Sequence, residues 1–138
     1  METSQGASSR PLASLNLVRA SEAGHEFELK NSAGDGLGVF ITVLGDHSDT
    51  VMAANRKLIN ERRERAYVAA KKGEKMAPDP IEDEEARAIE GAVLRTLAWR
   101  GIDEPCTPDH ARLLYTINPE ARGQVYAAAA ETANFLAR

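Results

Sequence analysis

The stretch from Gly34 to Asp49, GDGLGVFITVLGDHSD, decides how this chain is expected to fold. Its middle, from Leu37 to Leu44, is rich in β-branched and aromatic residues and is predicted to be a strand. Apolar side chains alternate along it, which places four of them on one face: Leu37, Val39, Ile41 and Val43. The glycines precede the strand and no P-loop lysine accompanies them, so the stretch is predicted to belong to a hairpin and not to a phosphate-binding loop.

The residues before this stretch supply the other half of the hairpin. HEFELK, from His25 to Lys30, alternates between apolar and charged side chains and is predicted to be the first strand. A polar turn, Asn31 to Gly36, separates the two strands. The preceding segment, Leu12 to Ala23, fits either a short helix or an edge strand. Residues 1–11 are polar and are predicted to be a flexible tail.

From Ser48 onward the apolar spacing becomes helical. Ser48 is a predicted N-cap, and Asp49 complements the positive end of the helix dipole. The helix becomes highly charged at Asn60 to Arg65 and is predicted to stop at Gly73. Its basic residues fit a solvated face, a protein-docking face or a nucleic-acid contact. The last is the weakest, because glutamates interrupt the run and no aromatic residue lies among the arginines.

The second half of the chain repeats one helix-start signal, a capping side chain followed by proline, at Asp79-Pro80, Thr107-Pro108 and Asn118-Pro119. Three helices are therefore predicted, from Ile81 to near Trp99, from Pro108 to about Ile117, and from Pro119 to near Arg138. The first is expected to carry an inward stripe of Ile81, Glu85, Ile89, Val93 and Leu97. The others are expected to bury Ala111, Leu114 and Tyr115, and Val125, Ala128, Ala129 and either Phe135 or Leu136.

These elements predict an α+β fold, with an N-terminal β-hairpin or small antiparallel sheet followed by a mainly helical part of about four helices. The 138 residues, of which 43% are apolar, suit one domain with a modest core. That domain is expected to span residues 12–138. Within it, 12–73 form the hairpin plus the charged helix, 74–80 a linker, and 81–138 the helical part.

The overall composition limits the classes of partner. The net charge of -4 gives no global positive field, so neither nucleic acid nor an anionic membrane is an expected partner. Cys106 is the single cysteine and cannot form an internal disulfide, which fits a reducing, intracellular setting. No segment reaches the length of apolar sequence that a membrane span needs.

No pattern in the sequence predicts a catalytic, metal or cofactor site. His47 and Ser48 are adjacent, but the second glycine of a nucleophile elbow is missing, and a cap explains Ser48 directly. His25, His47 and His110 have no partners at metal-ligand spacing. The acidic cluster from Asp79 to Glu85 fits a solvated first turn of a helix. We therefore expect a protein that is not an enzyme; a small hydrolase using His47 and Ser48 is the least favoured alternative.

The order of these pieces resembles tail assembly chaperones of long-tailed bacteriophages. The likeness runs from roughly Phe27 to Leu136 and rests on order, spacing and short phrases rather than on an invariant motif. Its parts are the strand EFELK, the strand GVFITVLG, the turn GDHS, a charged helix, LRTLAWRGI, TPDHARLLY and NPEARGQV…ANFL. One departure is the short loop Asp103 to Cys106 after the tryptophan segment.

The resemblance implies a non-enzymatic protein without a cofactor that binds the tape-measure protein and tail-tube subunits in the host cytoplasm. It is expected to be scarce in the finished virion, and a homo-oligomer is compatible with the role. The alternative is a minor component of the tail or head–tail connector that the virion retains. Trp99 fits either a core plug or a partner contact. The expected partner-facing residues are Arg56, Arg62, Arg63, Arg65, Trp99, Val125, Ala129 and Phe135.

Overall fold

A computed structural model describes residues 9–136, which form a three-stranded antiparallel sheet and five α-helices. The predicted α+β class is confirmed. The elements are a 3-10 turn Leu12–Leu15, α1 Leu17–Ala23, β1 His25–Lys30, β2 Gly36–Val43, α2 Asp49–Lys71, α3 Ile81–Arg95, β3 Thr96–Arg100, α4 Pro108–Ile117, α5 Pro119–Ala130 and a 3-10 turn Thr132–Asn134. The ambiguous segment before the hairpin is thus helical. Most of the flexible tail predicted for residues 1–11 lies outside the described residues.

The predicted hairpin is confirmed. β1 and β2 pair antiparallel, with Phe27 opposite Ile41. The turn between them is held by the Asn31 side chain, whose Oδ1 accepts hydrogen bonds from the amides of Ala33, at 2.9 Å, and Asp35, at 3.0 Å. Asparagine favours such turns because its side chain satisfies the local backbone amides.

A third strand occupies part of the predicted helix from Ile81 to near Trp99, so that prediction is wrong at its C-terminal end. α3 ends at Arg95, and β3 pairs with β2, with Trp99 opposite Ile41. Residues of β3 include threonine and tryptophan, which suit a strand, and their pairing makes β2 a central strand. The predicted inward stripe also fails at Ile81, which is 70% exposed, and at Glu85 and Leu97, which are exposed as well.

The core lies between one face of the sheet and helices α3, α4 and α5. Its buried members are Leu29, Ile41, Val43, Ala92, Ala111, Tyr115, Ala121 and Val125. Three alanines among them let the helices approach one another closely. Tyr115 is fully buried, and its hydroxyl lies 2.6 Å from Thr96 Oγ1, which satisfies both polar groups.

Two of the three predicted proline-linked caps are confirmed. Thr107 accepts a hydrogen bond from the His110 amide at 3.2 Å, and Asn118 accepts one from the Ala121 amide at 3.1 Å. Asp79 does not cap, because Pro80 itself occupies the N-cap position of α3 without a side-chain hydrogen bond. The Asp79 carboxylate instead accepts a hydrogen bond from Arg87 at 2.9 Å.

The closing helix is shorter than predicted. α5 ends at Ala130 rather than near Arg138, and residues 137–138 lie outside the described part of the chain. The Glu131 side chain accepts from the Ala133 amide at 3.2 Å, which caps the following 3-10 turn. Phe135 then folds back, and its ring meets His25 edge-on with centroids 5.9 Å apart. A change of helix type therefore ends α5.

Replacing Ala129 by arginine should destabilise the fold by more than about 3 kcal/mol, because the new charge would enter the core without a partner. The matched control is Ala127→Arg on the exposed side of the same helix, which should change the free energy of unfolding by less than about 0.5 kcal/mol. Urea denaturation of both variants measures the difference. Equal stability of the two would contradict the packing of α5 given above.

Tyr115 should make unfolding depend on pH in the alkaline range. Burial raises the pKa of Tyr115 from 10.0 to about 12, against a smaller lowering by its hydrogen bond to Thr96. Because the folded chain favours the neutral phenol, the stabilisation is fully present below pH 10 and is lost as the pH rises through about 12. Urea denaturation at a series of pH values should show a shallower alkaline loss for Tyr115→Phe than for the wild type.

Candidate functional site

Helix α2 projects from the rest of the chain. The Ser48 hydroxyl caps it, accepting from the Val51 amide at 3.2 Å, and Val51 is buried. From residue 55 to residue 71 every residue except the half-buried Ala69 is exposed. Gly73, with a φ of 71°, ends the helix, as predicted. With 23 residues, α2 is about 34 Å long, and its outer part packs on almost nothing.

This outer part of α2, residues 55–71, is called the arm below. Four of its large apolar side chains are between 40% and 59% exposed: Leu58, Ile59, Tyr67 and Val68. Most of the stability of a helix in a protein comes from packing of an apolar face, and the arm has little such packing. The arm therefore has the properties of a helix that is completed by another protein chain.

An open groove of about 850 Å³ lies between α2 and α3. Its α2 wall includes Ala54 and Leu58, and its α3 wall includes Ala88, Gly91 and Leu94. The small residues on the α3 wall leave room for the backbone of a docked helix to approach. We refer to this feature as the α2–α3 groove.

Tyr126 and Gly91 together form the floor of the groove. The Tyr126 hydroxyl donates to the Ala88 carbonyl at 2.7 Å, which brings the ring across α3. A Cβ atom on Gly91 would collide with that hydroxyl, so any other residue there would have to displace the Tyr126 side chain. Burial is the main cause that raises the pKa of Tyr126, so the phenol stays a neutral donor.

Arg95 is buried at the inner end of the groove. Its Nε donates to Asp46 Oδ1 at 2.9 Å, and its Nη1 donates to the Gly91 carbonyl at 3.0 Å. The guanidinium also lies 4.7 Å from the centre of the Tyr126 ring. Arg95 is not among the predicted site residues, because a basic residue in the last turn of a helix is usually solvated. The sequence feature that could have indicated its role is its position one helical turn after Gly91, whose carbonyl it contacts.

The charge on the arm is opposite to that on the rest of the chain. Residues 55–71 hold six basic and two acidic residues, a net charge of +4, whereas the whole chain carries -4 and the remainder therefore carries -8. Asp79 lies between the two helices at the outer end, 2.9 Å from Arg87 and 3.8 Å from Arg65. A second cavity of about 220 Å³ lies beside these three side chains.

The predicted partner-facing residues fall into three groups: four arginines of α2, Trp99, and three residues near the end of the chain. Arg56, Arg62, Arg63 and Arg65 are all exposed on α2, where a partner can reach them. Their use in binding stays a prediction. Trp99 is half-buried on β3 and packs against the core, and its Nε1 donates to the Glu104 carbonyl at 2.8 Å. That position fits the core-plug alternative.

The three predicted partner residues near the end of the chain are not on an open surface. Val125 and Ala129 are buried, and Val125 belongs to the core that α5 forms with the sheet and α3. The prediction that they face a partner is therefore wrong, although the prediction that they point inward is confirmed. Phe135 is half-buried and packs against the same core. Within the alanine run of α5, Ala128 and Ala129 serve internal packing instead.

The geometry gives no support to the hydrolase alternative. Ser48 is fully buried and its hydroxyl accepts from the Val51 amide, so a substrate cannot reach it, whereas His47 is exposed. Burial raises the pKa of the Cys106 thiol, which makes it a poorer nucleophile. Within residues 9–136 no group of three or more potential ligands could hold a metal ion. No helix of that same range is long and apolar enough to cross a bilayer.

No protein-family model matches this chain, and no curated protein and no solved structure shows significant similarity to it. Its function is therefore inferred from the α2–α3 groove, from the arm and from the resemblance of its motifs.

Replacing Asp46 by alanine should lower the free energy of unfolding by about 3 kcal/mol, because Arg95 would keep its charge in a buried position without a partner. The Asp46 side chain is partly exposed, which places the effect at the lower end for such pairs. Asp35→Ala, in the exposed hairpin turn, is the control for loss of an aspartate. Urea denaturation measures both, and an effect no larger than that of the control would contradict the importance given to Arg95.

Proposed function

We propose that this chain is a non-enzymatic tail assembly chaperone that binds helical segments of the tape-measure and tail-tube proteins in the host cytoplasm. The observation that carries the proposal is the α2–α3 groove with its exposed arm. The clients are inferred from the resemblance of the sequence motifs. The groove is an apolar surface between two helices, to which a helical segment of such a client can bind.

A helix about 10 Å wide is the natural occupant of an apolar groove between two splayed helices. Ala88 and Gly91 let its backbone approach α3, while Leu58 and Leu94 cover the two edges of its apolar stripe. A tape-measure protein is long and helical, and it exposes such stripes until the tube encloses it. Covering them would prevent premature association without any chemical step.

The arginines of the arm would favour clients that carry acidic residues beside the apolar stripe. Such exposed charges contribute more to association rate and orientation than to affinity, and salt screens them. The contact is therefore expected to be moderate and reversible. A moderate contact suits a chaperone, because the growing tube must displace it without a nucleotide or other cofactor.

The alternative, a minor tail or connector component, makes the same contacts but keeps them in the finished particle. Mass spectrometry of purified particles separates the two. A chaperone should be absent or far below the copy number of the tube subunit, whereas a retained component should be present at a fixed ratio to it.

Replacing Leu58 by glutamate should reduce co-purification of the tape-measure protein at least about tenfold, because the variant loses the burial of one leucine and places a charge in the groove. Co-expression of tagged chaperone with the tape-measure and tail-tube proteins, followed by affinity purification, measures the effect.

The control for this experiment is Ile117→Glu, which changes another exposed apolar residue, at the end of α4 and away from the groove. It should bind as the wild type does. Equal recovery of client by both variants would reject the groove as the binding site, and no recovery by the wild type would reject the proposed clients.

A further inference from the structure

We propose that the arm of a second copy of this chain packs antiparallel against the arm in the α2–α3 groove, forming a symmetric dimer. This inference goes beyond the proposed function, since it requires no client. It rests on the arrangement of five side chains along α2 and on the groove beside them.

The groove side of α2 carries residues at alternating intervals of four and three: Ala54, Leu58, Glu61, Arg65 and Val68. This is the spacing of the contact stripe of a two-helix coiled coil. The first three line the α2–α3 groove, and Arg65 lines the smaller cavity next to it. Val68 follows one turn further along and is 40% exposed. The stripe is thus open to a partner along its length.

The stripe is complementary to itself when two copies run antiparallel. If the two-fold axis passes Arg63, Leu58 lies opposite Val68 of the second copy, and Glu61 lies opposite Arg65 of the second copy. Symmetry repeats each pair, so one register gives two apolar contacts and two ion pairs. A shift by three residues places Leu58 opposite Arg65 or Glu61 opposite Val68. A shift by four places Glu61 opposite Glu61 or Arg65 opposite Arg65, so both shifts are disfavoured.

The charged members of the stripe are available for these contacts. No ion pair between described residues within 4.0 Å involves Glu61. Arg65 lies 3.8 Å from Asp79, beyond hydrogen-bond distance, and keeps its donors. In this register Arg63 lies at the same position along the helix as Arg63 of the second copy. At 3.6 residues per turn, however, Arg63 lies on the far side of the helix, so the two like charges point away from the contact.

These features favour a second copy over an unrelated helix. A partner must place an apolar residue, an acidic residue, a basic residue and a second apolar residue at four fixed positions along its helix axis. The arm itself provides all four in the required order when it is reversed. Charge complementarity at Glu61 and Arg65 is therefore built into one sequence.

Analytical ultracentrifugation of the full chain over a range of concentrations tests the dimer. The wild type should pass from 14.9 kDa to about 30 kDa, twice the monomer mass, as its concentration rises. Glu61→Arg and Arg65→Glu alone should each weaken self-association about tenfold or more, because two like-charged pairs replace two ion pairs. The double variant carrying both changes should restore association. Arg63→Glu, on the opposite side of the same helix, is the matched control and should not weaken it.

Disulfide cross-linking tests the register in a Cys106→Ser background. A mixture of Leu58→Cys and Val68→Cys chains should form mixed dimers under mild oxidation. Leu58→Cys alone should not cross-link, because the antiparallel register separates its two copies by ten residues, about 15 Å along the helix. Far-UV circular dichroism of each variant confirms that the exposed substitutions leave the helices intact.

A wild type that stays monomeric at all concentrations would overturn the proposal. So would a double variant that associates no better than the single ones, or equal cross-linking by Leu58→Cys alone. None of these experiments contains a client, so their failure would leave the proposed chaperone role to its own test.

Discussion

The ion pair between the buried Arg95 and the partly exposed Asp46 determines how the two halves of this molecule meet. Arg95 ends α3, and its backbone carbonyl accepts from the Leu44 amide at 2.7 Å, while the Asp46 amide donates to the Ala129 carbonyl at 2.9 Å. One cluster therefore joins the end of α3, the loop between β2 and α2, and α5. Because the loop holding Asp46 leads directly into α2, the pair also fixes where the arm leaves the core and hence the width of the groove beside it.

The groove follows from this constraint and from Gly91. The Tyr126 ring crosses α3 at Gly91 and contacts the Arg95 guanidinium, so the space next to α3 is filled from the α5 side. Helix α2 is anchored only at its base, where Ser48 and Val51 are buried. Beyond that base, the arm receives no packing that would compensate for its ordering, and caps at its two ends contribute only modestly. The outer half of α2 is thus the part of the described chain with the most to gain from a partner.

The parts of the fold that were predictable from sequence are those that local chemistry determines. The hairpin depends on alternation and on Asn31, and three helix starts depend on the caps at Ser48, Thr107 and Asn118. β3 was not predictable in this way, because the spacing of Val93 and Leu97 continues the helical period. Only pairing with β2, more than fifty residues earlier, makes Thr96–Arg100 a strand. Similarly, small apolar residues such as Ala129 fit an interface or a core equally well, and only the tertiary packing decides. The exposed arginines of α2 were identified as candidates, but the groove depends on the distance between two helices and has no sequence signature.

The two proposals assign one surface to two occupants, which has a thermodynamic consequence. If a second copy covers the groove, a client must displace it, and the apparent affinity for the client falls by the fraction of chains whose groove is open. Self-association that is too strong would therefore prevent chaperoning, whereas none would leave the apolar side chains of the arm exposed at high protein concentration. The residues of the α2 stripe favour self-association of intermediate strength. Leu58 and Val68 make apolar contacts at only two positions along the helix. The ion pairs of Glu61 with Arg65 contribute more to the orientation of the two chains than to the free energy of association. A client with a longer apolar stripe would then bind the groove more tightly than the second copy does. The client would therefore replace the second copy by competition alone.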